Sequence, residues 1–418
     1  MENRVKVILQ ARTGSSRLYG KVLLPVLNEP LIVLCWKRLA QTKLDITAAI
    51  PEGNEDDYLF SILKKNRINV YRGDKLNVLK RFKSFTKHFN KDDILIRVTG
   101  DNPLVDGFFL KKILKIYNEN KLDYFSAKDN INFIPTGIQA EIFKVKHLRE
   151  AKGNYEYSKE HVTPEIRSKY LLSKFKVSFL DLKKFSKTKL TIDYLDDFKK
   201  LNQIFNYSKN SKYSDLVKIL KNYKKSKIYK INKPKPSKLI LGTVQLGKKY
   251  FNNESKITFL RAKKIINTAL KNKINFFDTA YDYGKSEKFI GENLKNKNNY
   301  ICSKLKNIKF KKKLNQQAIN NEDNKSIFTS LRDLQRFYID YYLIHNSENL
   351  YKSKIIYNHL VRLLKCGIIK NLGVSIYSPN EFYKIKNYKY ISSVQMPFNI
   401  LDYRWINILK KNINLQFL

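Results

Sequence analysis

Apolar and polar positions in the first half of the chain follow two alternating rhythms. Short apolar runs at Val5–Gln10, Ile46–Ile50 and Ile94–Thr99 have the length and β-branched content of buried strands. Between them, Pro30–Thr42, Asp56–Asn66 and Val78–Phe89 carry apolar residues at the helical period. Strand, helix, strand at this spacing predicts an α/β fold, a doubly wound and mainly parallel sheet covered on both faces. Ligands of such sheets bind where the strands end.

The rhythm lapses from Tyr207 to Lys238, a basic stretch of low complexity. Its last part, Asn232-Lys-Pro-Lys-Pro-Ser237, joins prolines and charge with no apolar period, which marks a linker. The expected division is residues 1–230, a linker at 231–238, and a second domain over 239–418. Beyond it, strand-like runs recur at Leu239–Gly247, Ile274–Ala280, Tyr300–Leu305, Ile339–His345, Ile369–Ser375, Ile391–Phe398 and Ile413–Leu418. Helical stretches such as Lys256–Lys271 and Leu350–Cys366 separate them. Regular βα repeats predict a (β/α)8 TIM-type barrel, yet Leu239–Leu418 spans 180 residues. A full barrel needs roughly 250, so the expectation is an incomplete one.

Composition narrows the function classes. The chain holds 82 Lys and Arg against 37 Asp and Glu, a formal net charge of +45. Only 15 of those cations are Arg, and Lys is spread along the chain together with abundant Asn, Ile, Tyr and Phe. That joint bias reads as codon composition, so no specific nucleic-acid partner is expected, although an anionic substrate fits. Val22–Trp36 is the richest apolar stretch and Asn28 and Glu29 interrupt it, so no membrane span is expected. The start MENRVKVILQ is strand-patterned and lacks the parts of a signal peptide. Cys35, Cys302 and Cys366 have no metal or disulfide spacing. A globular cytoplasmic protein with small-molecule substrates is expected, with a homo-oligomer left open.

The first candidate site follows the first strand, in Gln10-Ala-Arg-Thr-Gly-Ser-Ser-Arg-Leu-Tyr-Gly-Lys21. Gly and small hydroxyl residues let backbone N–H groups curl around an anion, and Arg12, Arg17 and Lys21 add charge. The spacing is not that of a Walker A loop, and a solvated basic turn is the plain alternative. Arg97-Val-Thr-Gly-Asp101 ends an apolar strand, and Leu190-Thr-Ile-Asp193 reads as a short strand running into acid. Two carboxylates from separate strands suit Mg2+ on a nucleoside triphosphate, which takes few protein oxygens. Asp196 and Asp197 read best as helix N-terminal capping.

These runs, with Tyr71–Phe82, Pro135–Phe143 and Glu160–Pro164, resemble the cytidylyltransferase family that makes CMP-activated acidic sugars, notably its spore-coat-polysaccharide branch. The resemblance implies a nucleotide-diphospho-sugar transferase-like fold, CTP as substrate, Mg2+, and a CMP-sugar and pyrophosphate as products. It implies that Ala11, Arg12, Gly14, Ser15 and Lys21 cradle the triphosphate, with Arg12 and Lys21 neutralising charge during transfer. Arg97 would lie near the nucleotide, Asp101 and Asp193 would hold the metal, and Glu141 and His161 would face the sugar. His161 remains open between substrate contact, base and structural hydrogen bonding. Gln139 stands where the family tends to have an acid, Tyr19 where a small residue is usual, and Gly100 where Ala is commoner.

In the second domain Asp278, Lys304 and His345 close three strand-like runs, and Tyr283 follows in DTAYDYG. The barrel rule brings strand ends to one face. Lys beside Tyr is expected to lower the phenol pKa towards use as a general acid. The set is similar to the aldo/keto reductase family. That resemblance implies Tyr283 as proton donor, Lys304 and Asp278 as its tuners, and His345 as substrate orienter. It also implies Ser375 and Gln395 at the nicotinamide of NADPH, with Ile376 departing from a usual Asn. The family's phosphate-binding loops after strands seven and eight have no counterpart here. The domain is therefore expected to be a shortened remnant or a fragment, or to be completed by a separate chain. A CTP-dependent sugar cytidylyltransferase is the main expectation, and an NADPH-dependent reductase of a sugar aldehyde or ketone is the alternative.

Overall fold

The structure is a computed structural model that describes residues 4–26, 29–153, 161–207, 219–220, 233–248, 257–294, 298–307, 316–399, 401–411 and 415–418. Glu160, Lys256 and Ile413, and residues 231 and 232 of the expected linker, lie outside them. The chain divides into two compact units, Met1–Ile228 and Tyr229–Leu418.

In the first unit β1 (Val5–Gln10), β2 (Asp45–Pro51), β3 (Val70–Gly73), β4 (Ile94–Thr99), β5 (Tyr124–Ser126) and β6 (Glu141–Lys144) form one sheet in the order β3-β2-β1-β4-β6-β5. β1 is parallel to both neighbours, and β6 runs antiparallel to β4 and β5. Val7, Ile8 and Leu9 of β1 are fully buried, as a strand covered on both faces requires. Helices α1 (Leu31–Leu39), α2 (Asp57–Lys65), α3 (Val78–Phe85) and α4 (Gly107–Glu119) connect the parallel strands or follow them. Caps start two of these: Asn77 accepts from the Lys80 N–H at 2.9 Å, and Asp106 from the Phe109 N–H at 2.8 Å. The chain leaves β1 to one side of the sheet and returns on the other at β4. The ends of β1 and β4 therefore flank the crevice in which such sheets bind ligands.

One expected strand of this unit is not formed. Leu190–Asp193 joins no sheet; the Leu190 N–H donates to Thr136 O at 2.7 Å and the Ile192 N–H to Asp101 O at 3.1 Å. Gly137, at φ +99°, makes room for it, since a Cβ there would lie 2.2 Å from the Thr191 nitrogen. Tyr19 is 1% exposed and fills core volume. At Gly100 a Cβ would meet Ile32 Cδ1 at 2.8 Å, so Ile32 occupies the space of the Ala expected there.

Among the described residues the second unit holds seven strands: β7 (Leu241–Gly242), β8 (Phe276–Asp278), β9 (Tyr300–Lys304), β10 (Ile339–Ile344), β11 (Ile369–Ser375), β12 (Ile391–Gln395) and β13 (Gln416–Phe417). They pair in sequence order, all parallel, with β7 and β13 as the two edges. The sheet curls, because Ile240 before its first strand and Leu418 after its last both pack on Phe276, Cys302, Tyr341 and Leu343. It is the incomplete barrel that the repeats predict. Helices α5 (Phe259–Lys271), α6 (Ser286–Asn293), α7 (Gln316–Asp333), α8 (Lys354–Lys365) and α9 (Pro379–Ile385) follow successive strands.

The expected strand over Leu239–Gly247 is the second correction. Pairing stops at Gly242, and Val244–Gly247 is a helical turn. Thr243 ends the strand by donating its N–H and Oγ1 to Asp278 O at 3.0 and 2.7 Å. Gly247 then sits against the next loop so closely that a Cβ would lie 1.7 Å from Tyr283 O.

Candidate functional site

In the first unit the loop after β1 closes on itself: the Ser15 and Gly20 N–H groups both donate to Thr13 O at 2.9 Å, and the Thr13 N–H donates to Asp56 at 2.7 Å. Gly14 lies beside Glu55, whose Oε1 would meet an added Cβ at 3.6 Å, an ordinary contact. Arg12 and Arg17 are exposed, whereas Lys21 is buried in a short helical turn. Lys21 Nζ donates to Asp101 Oδ2 at 2.6 Å and to Ile192 O at 2.7 Å. Thr99 Oγ1 donates to the other Asp101 oxygen at 2.6 Å. Burial raises the Asp101 pKa, but the Lys21 charge and these hydrogen bonds outweigh it and hold the carboxyl below its ordinary value.

Asp193 arrives next to Asp101 because the Ile192 N–H is bonded to Asp101 O. Its carboxylate pairs with Arg17 at 2.9 Å and Lys189 at 3.2 Å. Asp197 accepts from the Asp193 and Tyr194 N–H groups at 3.1 and 3.0 Å, the back-bond of a capping box. The backbone segments that carry the two carboxylates assigned to a metal by sequence reading are thus hydrogen-bonded to each other. Among the described residues no group of three or more His, Cys, Asp or Glu could hold a metal ion. A pair of hard carboxylates is nevertheless the donor set that Mg2+ accepts when phosphate oxygens and waters complete its shell.

Beyond the end of β4 lies a cavity of about 250 Å³, lined among others by Arg97, Ser126, Gln139, Glu141, His161 and Arg167. It joins the two expected sugar-facing residues and Arg97 in one place. Glu141 is fully engaged: it forms an ion pair with Arg97, opposite it in the antiparallel register. Its Oε1 accepts from Tyr124 OH at 2.8 Å and Thr163 Oγ1 at 2.6 Å. Burial raises its pKa and these partners more than offset that, so it stays ionised. Arg97 is also held by Gln10 at 2.9 Å. Sequence reading missed Tyr124, Gln10 and the Arg167–Asp129 pair, whose two bonds measure 2.9 and 2.6 Å. Thr163 and Gln10 lay inside quoted motifs, but no spacing signals Tyr124 or the Arg167–Asp129 pair.

In the second unit the strand ends converge as expected. Lys304 Nζ donates to both Asp278 oxygens at 2.6 and 2.8 Å and to Thr279 O at 3.1 Å. It also lies 5.1 Å from the centroid of the Tyr283 ring. Tyr283 meets His345 edge to face, ring centroids 5.9 Å apart, and His345 Nδ1 is 3.7 Å from Asp282. Gln395 Nε2 donates to Asp278 at 3.1 Å, and Ser375 pairs with Gln395 in register. The expected direction of the Tyr283 pKa is corrected. Burial raises it and Asp278 adds to this, so the phenol stays above its ordinary value although Lys304 pulls the other way. Lys304 spends its charge on Asp278. No helix among the described residues is long and apolar enough to cross a membrane.

Residues 6–233 match the cytidylyltransferase family, and residues 238–415 match the aldo/keto reductase family. An uncharacterized protein of Methanocaldococcus jannaschii is 35% identical over 219 residues, covering 51% of this chain and 85% of that protein. The spore coat polysaccharide biosynthesis protein SpsF of Bacillus subtilis is 29% identical over 218 residues, covering 49% of this chain and 87% of its own length. The 8-amino-3,8-dideoxy-manno-octulosonate cytidylyltransferase of Shewanella frigidimarina is 24% identical over 215 residues, covering 48% and 84%.

Proposed function

The chain belongs to the cytidylyltransferase family, and from that premise we propose that its first unit transfers a cytidylyl group from CTP to a sugar, for surface polysaccharide or glycan synthesis. The observation that carries this reading is the meeting of the basic loop, Asp101 and Asp193 at the β1/β4 crevice, with Lys21 2.6 Å from Asp101. The sugar hydroxyl oxygen bonds to the α-phosphorus and its proton is released. The bond from that phosphorus to the bridging oxygen breaks, and pyrophosphate leaves with the electron pair.

Ala11, Arg12, Gly14 and Ser15 hold the triphosphate, and Lys21 and Arg12 donate to phosphate oxygens as charge develops on them. Asp101 and Asp193 would hold Mg2+, which supplies charge neutralisation when bound. Arg97, locked by Glu141 and Gln10, stands at the cavity wall with a fixed direction for its guanidinium. Glu141 has both oxygens occupied, so its part is to position Arg97, while His161 faces the sugar. The reading places the protein in the cytoplasm with small-molecule partners. It is tested by pyrophosphate release from CTP over a panel of acidic and neutral sugars. Release that requires another nucleoside triphosphate, or none with any sugar, would overturn it.

A second reading is favoured by the Lys304–Asp278–Tyr283–His345 cluster: NADPH-dependent reduction of a sugar aldehyde or ketone in the second unit. NADPH would supply the hydride when bound, with Ser375 and Gln395 beside its nicotinamide. Gln395 keeps its amide oxygen for that contact while its nitrogen serves Asp278. The raised pKa keeps Tyr283 protonated, ready to donate to the carbonyl oxygen that His345 orients. NADPH oxidation by a carbonyl sugar, lost in Tyr283→Phe, is the measurement; equal turnover in that variant would contradict the assignment.

A further inference from the structure

The carboxylates proposed for the metal and the cations proposed for the triphosphate are paired with one another in the first unit. Lys21 occupies Asp101 Oδ2 at 2.6 Å while Thr99 occupies Oδ1 at 2.6 Å. Arg17 lies 2.9 Å from Asp193 Oδ1 and Lys189 lies 3.2 Å from Asp193 Oδ2. All four carboxylate oxygens therefore have partners, and two of the cations, Arg17 and Lys21, belong to the loop after β1.

We propose that these pairs form a latch that makes divalent-cation binding conditional on the nucleotide. A triphosphate that draws Lys21 and Arg17 to its own oxygens frees Asp101 Oδ2 and Asp193 Oδ1 in the same event. Until then each carboxylate is already neutralised, and a cation arriving alone must compete with an ammonium or guanidinium that the fold holds in place. The two contacts differ in strength. Lys21 and Asp101 side chains are 11% and 26% exposed, whereas Arg17 and Lys189 are 55% and 41% exposed. Solvent screens the outer pairs, so Lys21 is the main bar and Arg17 and Lys189 are the lesser ones. Ile192 O, the second acceptor of Lys21 at 2.7 Å, keeps the ammonium between the two acidic segments. Linkage makes the effect reciprocal: the metal raises CTP affinity by the factor by which CTP raises metal affinity.

The inference rests on the cytidylyl-transfer reading, and its test separates the two. Mn2+ binding to the full chain without nucleotide is followed by the loss of the free-ion EPR signal. CTP binding is measured separately by calorimetry, in Mg2+ and in EDTA. Wild type should bind Mn2+ alone weakly, and Lys21→Gln should bind it roughly tenfold tighter or more, a coupling of ordinary allosteric size. Lys21→Arg, which keeps the cation, should stay weak. Arg17→Gln, at a more exposed position, should tighten Mn2+ binding by a smaller factor and serves if Lys21→Gln does not fold. Unchanged or weaker Mn2+ binding in folded Lys21→Gln or Arg17→Gln would overturn the latch. So would wild-type CTP affinity equal in Mg2+ and EDTA. Failure of CTP to bind in either condition would instead defeat the cytidylyl-transfer reading.

Discussion

Both units centre on a Lys–Asp pair at strand ends, and the two pairs are built for opposite purposes. Lys304 and Asp278 sit on adjacent strands, with side chains 2% and 15% exposed and both carboxylate oxygens on one ammonium. Lys21 reaches Asp101 from the short helical turn that closes the loop after β1, across 80 residues of sequence, and shares its ammonium with the carbonyl of Ile192. The first arrangement fixes geometry, because strand register sets it. The second joins separate segments that a ligand can rearrange. A buried ion pair is therefore not one device: what it does depends on the stiffness of the backbone that carries each partner.

The largest effect that can break this contrast is loss of the rigid pair. Lys304→Met should cost the second unit about 3–5 kcal/mol, because Asp278 is left largely buried without its counter-charge, keeping the bond from Gln395. Lys21→Met should cost the first unit less, about 1–3 kcal/mol, since Asp101 keeps Thr99 and some solvent. Denaturant titration of each variant, with each unit's transition fitted separately, gives both numbers, and equal costs would erase the distinction. Activity should rank the other way for CTP: Asp101→Asn should reduce pyrophosphate release by roughly 10²–10³-fold.

The next effect is a difference in the sign of pH dependence. Burial raises the Glu287 carboxyl on α6 to about 7, against the bonds it accepts from Ser303 and Ser330. A carboxyl that holds its proton more tightly when folded stabilises fully below its ordinary pKa and loses that as pH rises to about 7. Asp101 is shifted down, so its contribution is present above the ordinary carboxylate range and lost as pH falls below it. Stability of the second unit should thus decline from about pH 4.5 to 7, and Glu287→Gln should flatten that decline. A wild-type profile already flat there would contradict the Glu287 assignment. The smallest expected effect is none at all: Tyr283→Phe should leave CTP-dependent pyrophosphate release unchanged, and a change would mean that the two units are functionally coupled.

The comparison also shows where sequence suffices. Val5–Gln10 and Ile94–Thr99 form strands with the bounds their apolar runs predict, because burial on both faces demands a continuous apolar run. The second cluster was legible because strand register sets Lys304 beside Asp278, and the curl of the sheet brings Gln395 across to the same carboxylate. Leu190–Asp193 and Leu239–Gly247 misled because their hydrogen bonds go to distant backbone, at Thr136, Asp101 and Asp278. Their apolar content looks like a strand, but the partners are not encoded locally. The pairing of Arg17 and Lys189 with Asp193 is equally non-local. The direction of the Tyr283 shift depended on how deeply the ring is buried, which spacing does not carry.

The most direct test of the central claim is thermal unfolding of the full chain with each of the four nucleoside triphosphates and Mg2+. A ligand at about 100 times its Kd that binds only the folded state adds roughly 2.7 kcal/mol. The account expects a shift with CTP, little with the other three, and its loss in Asp101→Asn. Equal shifts with all four nucleotides, or none with CTP, would contradict it.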